Sequence, residues 1–285
     1  MSPLVSVLMT AYNREKYIAE AIESVLAQTF GDFELIIVDD GSKDRTVEIA
    51  RRYSSDARVR VHVNDRNLGD YPNRNRAAEF AKGHYLKYLD ADDIAYAHCL
   101  EIMTRQMEHF PGAGLGLQSE VVYRWPQPLP ILLSPEQAYG EHFLRQGILH
   151  QGPTGAIIPA EVFRELGGFR TERHTGDTEL WLRVTRRFPL VVCGKGLTWW
   201  RRHEQQETAY EIANSAVIVT RYLNAVQTIE AEDCPLKPSE RRRALRRLRR
   251  KHLECFAVAA RHGKLRLAWL LLKNLRGTKS RDPAS

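Results

Sequence analysis

Apolar runs of strand length alternate with helical stripes through the first part of the chain. Leu4-Val5-Ser6-Val7-Leu8-Met9-Thr10 reads as a buried strand ending in the turn Ala11-Tyr12-Asn13. Between Lys16 and Gln28, apolar Ile18, Ala21, Ile22, Val25 and Leu26 recur at helical spacing. Phe33 to Val38 is a second buried strand, and Gly41-Ser42 turns the chain into a helix beginning near Asp44. Val59 to Val63 alternates as a third strand does, Asn73 to Ala81 is helical with Gly83 closing it, and Tyr85 to Leu89 is a fourth strand. Strands separated by helices of this length predict βαβ units and a mainly parallel sheet with right-handed crossovers.

The pattern loosens after Pro111. Trp125-Pro126-Gln127-Pro128-Leu129-Pro130 fits neither a helix interior nor a central strand, so a surface loop near the acceptor side is expected. Thr154 to Pro159 reads as a strand, Ala160 to Leu166 as a short helix and Gly167-Gly168 as a turn. Thr178 to Phe188 is a helix, Leu190 to Cys193 and Leu197 to Arg201 are strands, and from about Gln206 onward the chain reads as helical.

Composition narrows the class. With 285 residues and 43% hydrophobic side chains, the chain can bury a substantial core. No apolar stretch is long enough to suggest a spanning helix, and Met1-Ser2-Pro3-Leu4 shows no secretory signal. Cys99, Cys193, Cys234 and Cys255 are scattered and read as reduced, buried side chains. A cytoplasmic location is therefore expected.

Candidate chemistry begins where the fourth strand ends, at Asp90-Ala91-Asp92-Asp93. Ligands of open α/β sheets bind beyond the carboxyl ends of the strands, and paired carboxylates there offer hard oxygen ligands to Mg²⁺ or Mn²⁺. The alternative is an Asp-rich turn or a cap on a helix starting near His98. Asp39-Asp40-Gly41, ending an earlier strand of the same kind, favours a ligand site.

The ordered set Leu4 to Asn13, Val38-Asp39-Asp40-Gly41-Ser42, Asn67-Leu68-Gly69, Arg74-Asn75, Leu89 to Asp93, Gly167-Gly168-Phe169 and Gly176 to Arg183 resembles the family 2 glycosyltransferases over about residues 3–205. That resemblance implies a GT-A fold, a nucleotide-sugar donor, Mg²⁺ or Mn²⁺, and inversion at the anomeric carbon. It implies a catalytic domain over 1–205, with a nucleotide-binding half (1–110) and an acceptor-binding half (111–205), followed by a helical, basic region over 206–285. By the same resemblance Asp92 ligates the metal, Asp90 contacts the ribose or the metal shell, and Asp93 orients the sugar. Asp40 accepts a hydrogen bond from the nucleobase, uracil by preference, with Asp39 beside it or bracing the turn through nearby backbone amides, while Thr10, Tyr12 and Asn13 contact base and ribose. Arg74 and Arg201 supply charge to phosphate, and His203 ligates metal or donates to phosphate. Asp177 is the expected catalytic base, with Glu179 as the fallback. The family commonly carries Glu-Asp where this chain has Gly176-Asp177, so a supporting acid is missing. The expected acceptor is a hydroxyl of a glycan or a lipid-linked glycan. A nucleotidyltransferase and a non-catalytic nucleotide-sugar-binding scaffold are the competing readings. The first lacks a glycine-rich basic loop after the first strand, and the second has no use for Asp177.

The formal net charge of +7 is unevenly placed. Arg241 to Lys251 is a dense basic run with Leu245, Leu248, Leu253 and Phe256 along one stripe, and Leu265 to Lys273 adds a Trp-bearing apolar face. Basic amphipathic helices of this type lie on anionic membranes, so residues 236–285 are expected to bind the cytoplasmic membrane face. The alternative is packing on the catalytic domain or on another subunit in a homo-oligomer. No nucleic-acid partner is expected, because no reading module accompanies the charge.

Overall fold

The computed structural model describes residues 2–118, 125, 127–170, 175–203 and 215–275. The backbone divides into two compact units, Met1–Ala138 with Ile148–Arg202 and Tyr139–Gly147 with His203–Ser285.

The first unit is built on an eight-stranded sheet. Its strands are β1 (Val5–Ala11), β2 (Phe33–Asp39), β3 (Val59–Val63), β4 (Tyr85–Asp90), β6 (Leu115–Gln118), β7 (Ile131–Leu133), β8 (Ala156–Pro159) and β9 (Leu190–Cys193), in the order β3-β2-β1-β4-β8-β6-β9-β7. Helices α1 (Ile18–Leu26), α2 (Thr46–Arg51), α3 (Asp70–Glu79), α4 (Cys99–His109), α5 (Pro135–Gly140), α6 (Ala160–Glu165) and α7 (Gly176–Arg187) connect them. β1 and β2 are apolar nearly throughout because helices cover both faces of a parallel sheet. The predicted stripe of α1 is the buried one, with Ile18, Ala21, Ile22 and Val25 inside.

The expectation of a mainly parallel sheet holds for β3-β2-β1-β4 and for the β6–β9 pair. β8 runs against both β4 and β6, and β7 runs against β9, so the second half is mixed. Strands of three or four residues carry no periodicity from which direction could be read. β6 and β7 were not anticipated, because Gly116 and Gln118 interrupt the apolar run of the first and the second has only three residues. Of the proline-rich stretch, the described residues lie outside helices and strands, as expected, and β7 follows directly.

Other boundaries shift for identifiable reasons. Helix α3 starts at Asp70, not Asn73, because Gly69 turns the chain at a φ of 92° and Pro72 is tolerated in a first turn. Pro153–Gly155 forms a short 3₁₀ turn ahead of β8. The strand predicted over Leu197–Arg201 shrinks to β10 (Thr198–Trp199), which pairs antiparallel with β5 (Ile94–Ala95). Gln118 Oε1 accepts from the N–H groups of Leu197 and Thr198 and from the Thr198 hydroxyl, anchoring that ribbon.

The second unit contains α8 (Ser215–Glu230), α9 (Pro238–Arg261) and α10 (Leu265–Lys273). The continuous helical reading from Gln206 breaks where Pro238 begins α9 and where Gly263, at a φ of 67°, ends it; residues 204–214 lie outside the described residues. Val219, Ala259, Ala268 and Leu271 form this unit's core, with Phe256 packed against it. His252 is buried on α9, its Nε2 2.8 Å from the Leu271 carbonyl and its ring stacked on Tyr222. Cys99, Cys193 and Cys234 are buried, whereas Cys255 is exposed, contrary to expectation.

Candidate active site

Parallel register brings the carboxyl ends of three strands side by side. Thr10 on β1 lies opposite both Val38 on β2 and Asp90 on β4, and Ala11 lies opposite Asp39. The loops beyond them are stitched together: Asn13, at a φ of 53°, donates its N–H to Ser42 Oγ and accepts from Lys43 N. Tyr12 stands 44% exposed in this corner.

Asp39 and Asp40 are buried and hold backbone. Asp39 accepts from the N–H groups of Gly41 and Ser42 at 3.0 and 2.8 Å and from the Ser42 hydroxyl. Asp40 accepts from Leu68 N, Gly69 N and Asn64 Nδ2 at 2.8–2.9 Å. Three of the roughly four lone-pair positions on each carboxylate are thereby used, so these residues shape the turns between β2 and α3.

Asp90, Asp92 and Asp93 cluster, with one carboxylate oxygen of each within 4.8 Å of the others. They do not cap α4, whose N-cap is His98 without a side-chain bond. Three hard oxygen donors in so small a space fit a divalent cation such as Mg²⁺ or Mn²⁺. Cationic side chains from elsewhere hold the acids in place. Arg14 donates through Nε to Asp92 Oδ2 at 2.9 Å. Arg201 donates its backbone N–H to Asp93 Oδ1 at 3.1 Å and its Nε to the Asp92 carbonyl at 2.9 Å, while its guanidinium pairs with Glu20 at 2.5 Å and lies over the rings of Tyr17 and Trp199. Arg74 is buried and pairs with Asp70 at 2.8 Å and Asp90 at 2.7 Å. Burial opposes its charge, but the two carboxylates outweigh burial and hold it protonated well above the usual range. Thr154 closes the set, accepting from Asp90 N at 3.1 Å and donating to Asp93 Oδ2 at 2.8 Å. Beneath it, buried Lys87 donates to the carbonyls of Tyr88 and Thr154, and burial lowers its pKa. His203 falls in the second unit by the division of the backbone.

Asp177 lies in the first turn of α7, behind the N-cap Thr175, and accepts from Thr178 N at 2.7 Å. Its own N–H points to Tyr71 Oη at 3.3 Å. Tyr71 is buried on α3, one residue from Asp70, with its ring stacked on Phe169. Burial, with Asp177 and Asp70 nearby, pushes its hydroxyl pKa far up. A Cβ at Gly176 would lie 2.7 Å from this ring, so the glycine gives Tyr71 its room. Through Tyr71, Asp70 and Arg74, helix α3 joins the Asp177 turn to the acidic group. Glu179 pairs instead with Arg170 and Arg183.

Asp93 carries a measurable signature of this crowding. Burial, reinforced by Asp90 and Asp92, raises its pKa from 3.8 to about 7. Between those values the folded protein keeps a proton that the unfolded chain releases, so stability falls as pH rises through that window. In chelator-containing buffer, Asp93→Asn is expected to melt progressively higher than wild type as pH climbs from 3.8 toward 7. A melting difference that stays flat across the window counts against the shift.

The sequence profile of the family described as "Glycosyl transferase family 2" matches residues 6–167, more than half of the chain. The chain belongs to glycosyl transferase family 2. It is 33% identical over 192 residues to the Bacillus subtilis protein EpsE, a match covering 64% of this chain and 66% of EpsE's length. The GT-A fold of this family 2 member is shared with S. aureus TarS 1–349, solved in complex with UDP-GlcNAc, at a TM-score of 0.66 and 17% identity, covering 99% and 94% of the two chains. It is also shared with a Pyrobaculum calidifontis mannosyltransferase, solved with GDP-Man and Mn²⁺, at a TM-score of 0.59 and 19% identity, covering 97% and 80%.

Arg14, Thr154 and Lys87 were not anticipated from sequence. Arg14 immediately follows Asn13 and was within reach of motif reading. The other two act through contacts formed only by folding.

Proposed function

We propose that this chain transfers a sugar from a nucleoside diphosphate sugar, UDP-linked by preference, to a hydroxyl of a glycan or lipid-linked glycan, with inversion. The observation that carries the reading is the connection, through helix α3, of two acidic features: the Asp90–Asp92–Asp93 group after β4 and Asp177 in the first turn of α7. Transfer breaks the bond between the anomeric carbon and the β-phosphate oxygen and forms one to the acceptor oxygen. Asp177 takes the acceptor's proton as that oxygen attacks. Asp92, with Asp90 and Asp93, would hold Mg²⁺ or Mn²⁺, which supplies Lewis-acid stabilisation of the departing diphosphate. Thr10, Tyr12 and Asn13 receive base and ribose on turns shaped by Asp39 and Asp40. Arg201 places positive charge beside the acidic group, and Arg74 orients Asp90 from behind. The Mn²⁺-containing mannosyltransferase and the UDP-GlcNAc-bound TarS support a nucleotide-sugar site of this chemistry on this fold.

The direct experiment is a panel of UDP- and GDP-sugars incubated with the protein and Mn²⁺ or Mg²⁺, with and without chelator. Slow release of nucleoside diphosphate from at least one donor is expected, abolished by chelation. Chelator-insensitive release would remove the metal, and no release or binding across the panel would remove the donor class.

A further inference from the structure

α10 presents more apolar surface than its own unit uses. Ala268 and Leu271 are buried in the core that includes Val219 and Ala259, with Leu267 and Leu270 packed against it. Leu265, Trp269 and Leu272 remain 75%, 58% and 54% exposed. These three stand at i, i+4 and i+7, so they share one helix face. Lys264 precedes the stripe, Arg266 and Lys273 flank it, and the Lys273 ammonium lies 5.0 Å from the Trp269 ring. α10 contains no acidic residue. On α9, Arg242, Arg246, Arg249, Arg250 and Leu253 are exposed together, opposite the buried Ala244, His252 and Ala259.

We propose that the exposed stripe of α10, assisted by the arginine face of α9, docks this chain on an anionic lipid surface. An apolar face edged by cations matches acyl chains beneath anionic headgroups, and an indole suits that boundary. A polyanionic nucleic acid would satisfy the arginines and leave Leu265, Trp269 and Leu272 without use. A second copy of the same face would bring like charges together. Docking is peripheral: no helix among the described residues is long and apolar enough to cross a membrane.

The test is flotation of the full chain with phosphatidylcholine vesicles and with vesicles mixed with phosphatidylglycerol. The chain should float with the mixed vesicles and stay behind with phosphatidylcholine alone. The combined variant Leu265→Ser, Trp269→Ser, Leu272→Ser should lose vesicle binding on the order of tenfold or more, as should Arg246→Glu with Arg250→Glu. Circular dichroism and solution donor hydrolysis of these surface variants should match wild type. The proposal is overturned if wild type fails to float, if phosphatidylglycerol makes no difference, or if both variants float as wild type does. It is equally overturned if the apolar variant changes only the oligomeric state and leaves flotation intact.

Discussion

Asp92→Ala is expected to abolish metal-dependent turnover of the nucleotide sugar, lowering the rate on the order of a thousandfold. A metal at a developing diphosphate contributes several kcal/mol, and each factor of ten in rate corresponds to about 1.4 kcal/mol. The loss should appear also in Mn²⁺ binding measured by calorimetry or paramagnetic resonance without substrate. Folding should survive, because the pair Asp92 makes with Arg14 is partly solvated and Arg14 can reach water once released. Unchanged Mn²⁺ affinity in the variant would take Asp92 out of the site. If affinity is lost but turnover is kept, Asp92 binds a cation that the reaction does not need.

Asp177→Asn should separate binding from transfer. The amide is nearly isosteric and its oxygen can still accept from Thr178 N, so the α7 turn should persist. Its basicity is gone, however, and general-base assistance is worth about 10²–10⁴-fold. Donor affinity by calorimetry should stay within twofold of wild type while transfer to acceptor falls by about that general-base factor. Wild-type transfer would end the assignment, and Glu179→Gln, whose native carboxylate pairs with Arg170 and Arg183, would then need testing.

The legible parts of the molecule were those specified locally. β1, β2, β4 and α1 announce themselves because burial on one or both faces imposes an apolar pattern over several consecutive residues. The acids of the 90–93 segment were legible because they follow such a run. Leu115–Gln118 and Ile131–Leu133 were not, since so few residues give no period and their pairing depends on β8 and β9, far along the chain. The site shows the same divide. Arg14 reaches Asp92 across 78 positions, Thr154 reaches Asp93 across 61, and Asp177 meets Tyr71 across 106. No short motif encodes such pairings. Asp39 was legible as a brace for its own turn, but the sequence could not show that the distant amides of Leu68 and Gly69 claim the oxygens of Asp40.

The contact between Tyr71 and Gly176 bears on the acid missing beside Asp177. The aromatic ring fills the volume that a side chain at 176 would need, so the two positions behave as a single lock. Installing glutamate at 176 alone would wedge α3 away from α7 and drag Arg74 off Asp90. Only an exchange made in step, with a small residue at 71, could carry this chain toward the two-acid arrangement. Its relatives should therefore be sorted by the pair and not by either residue alone.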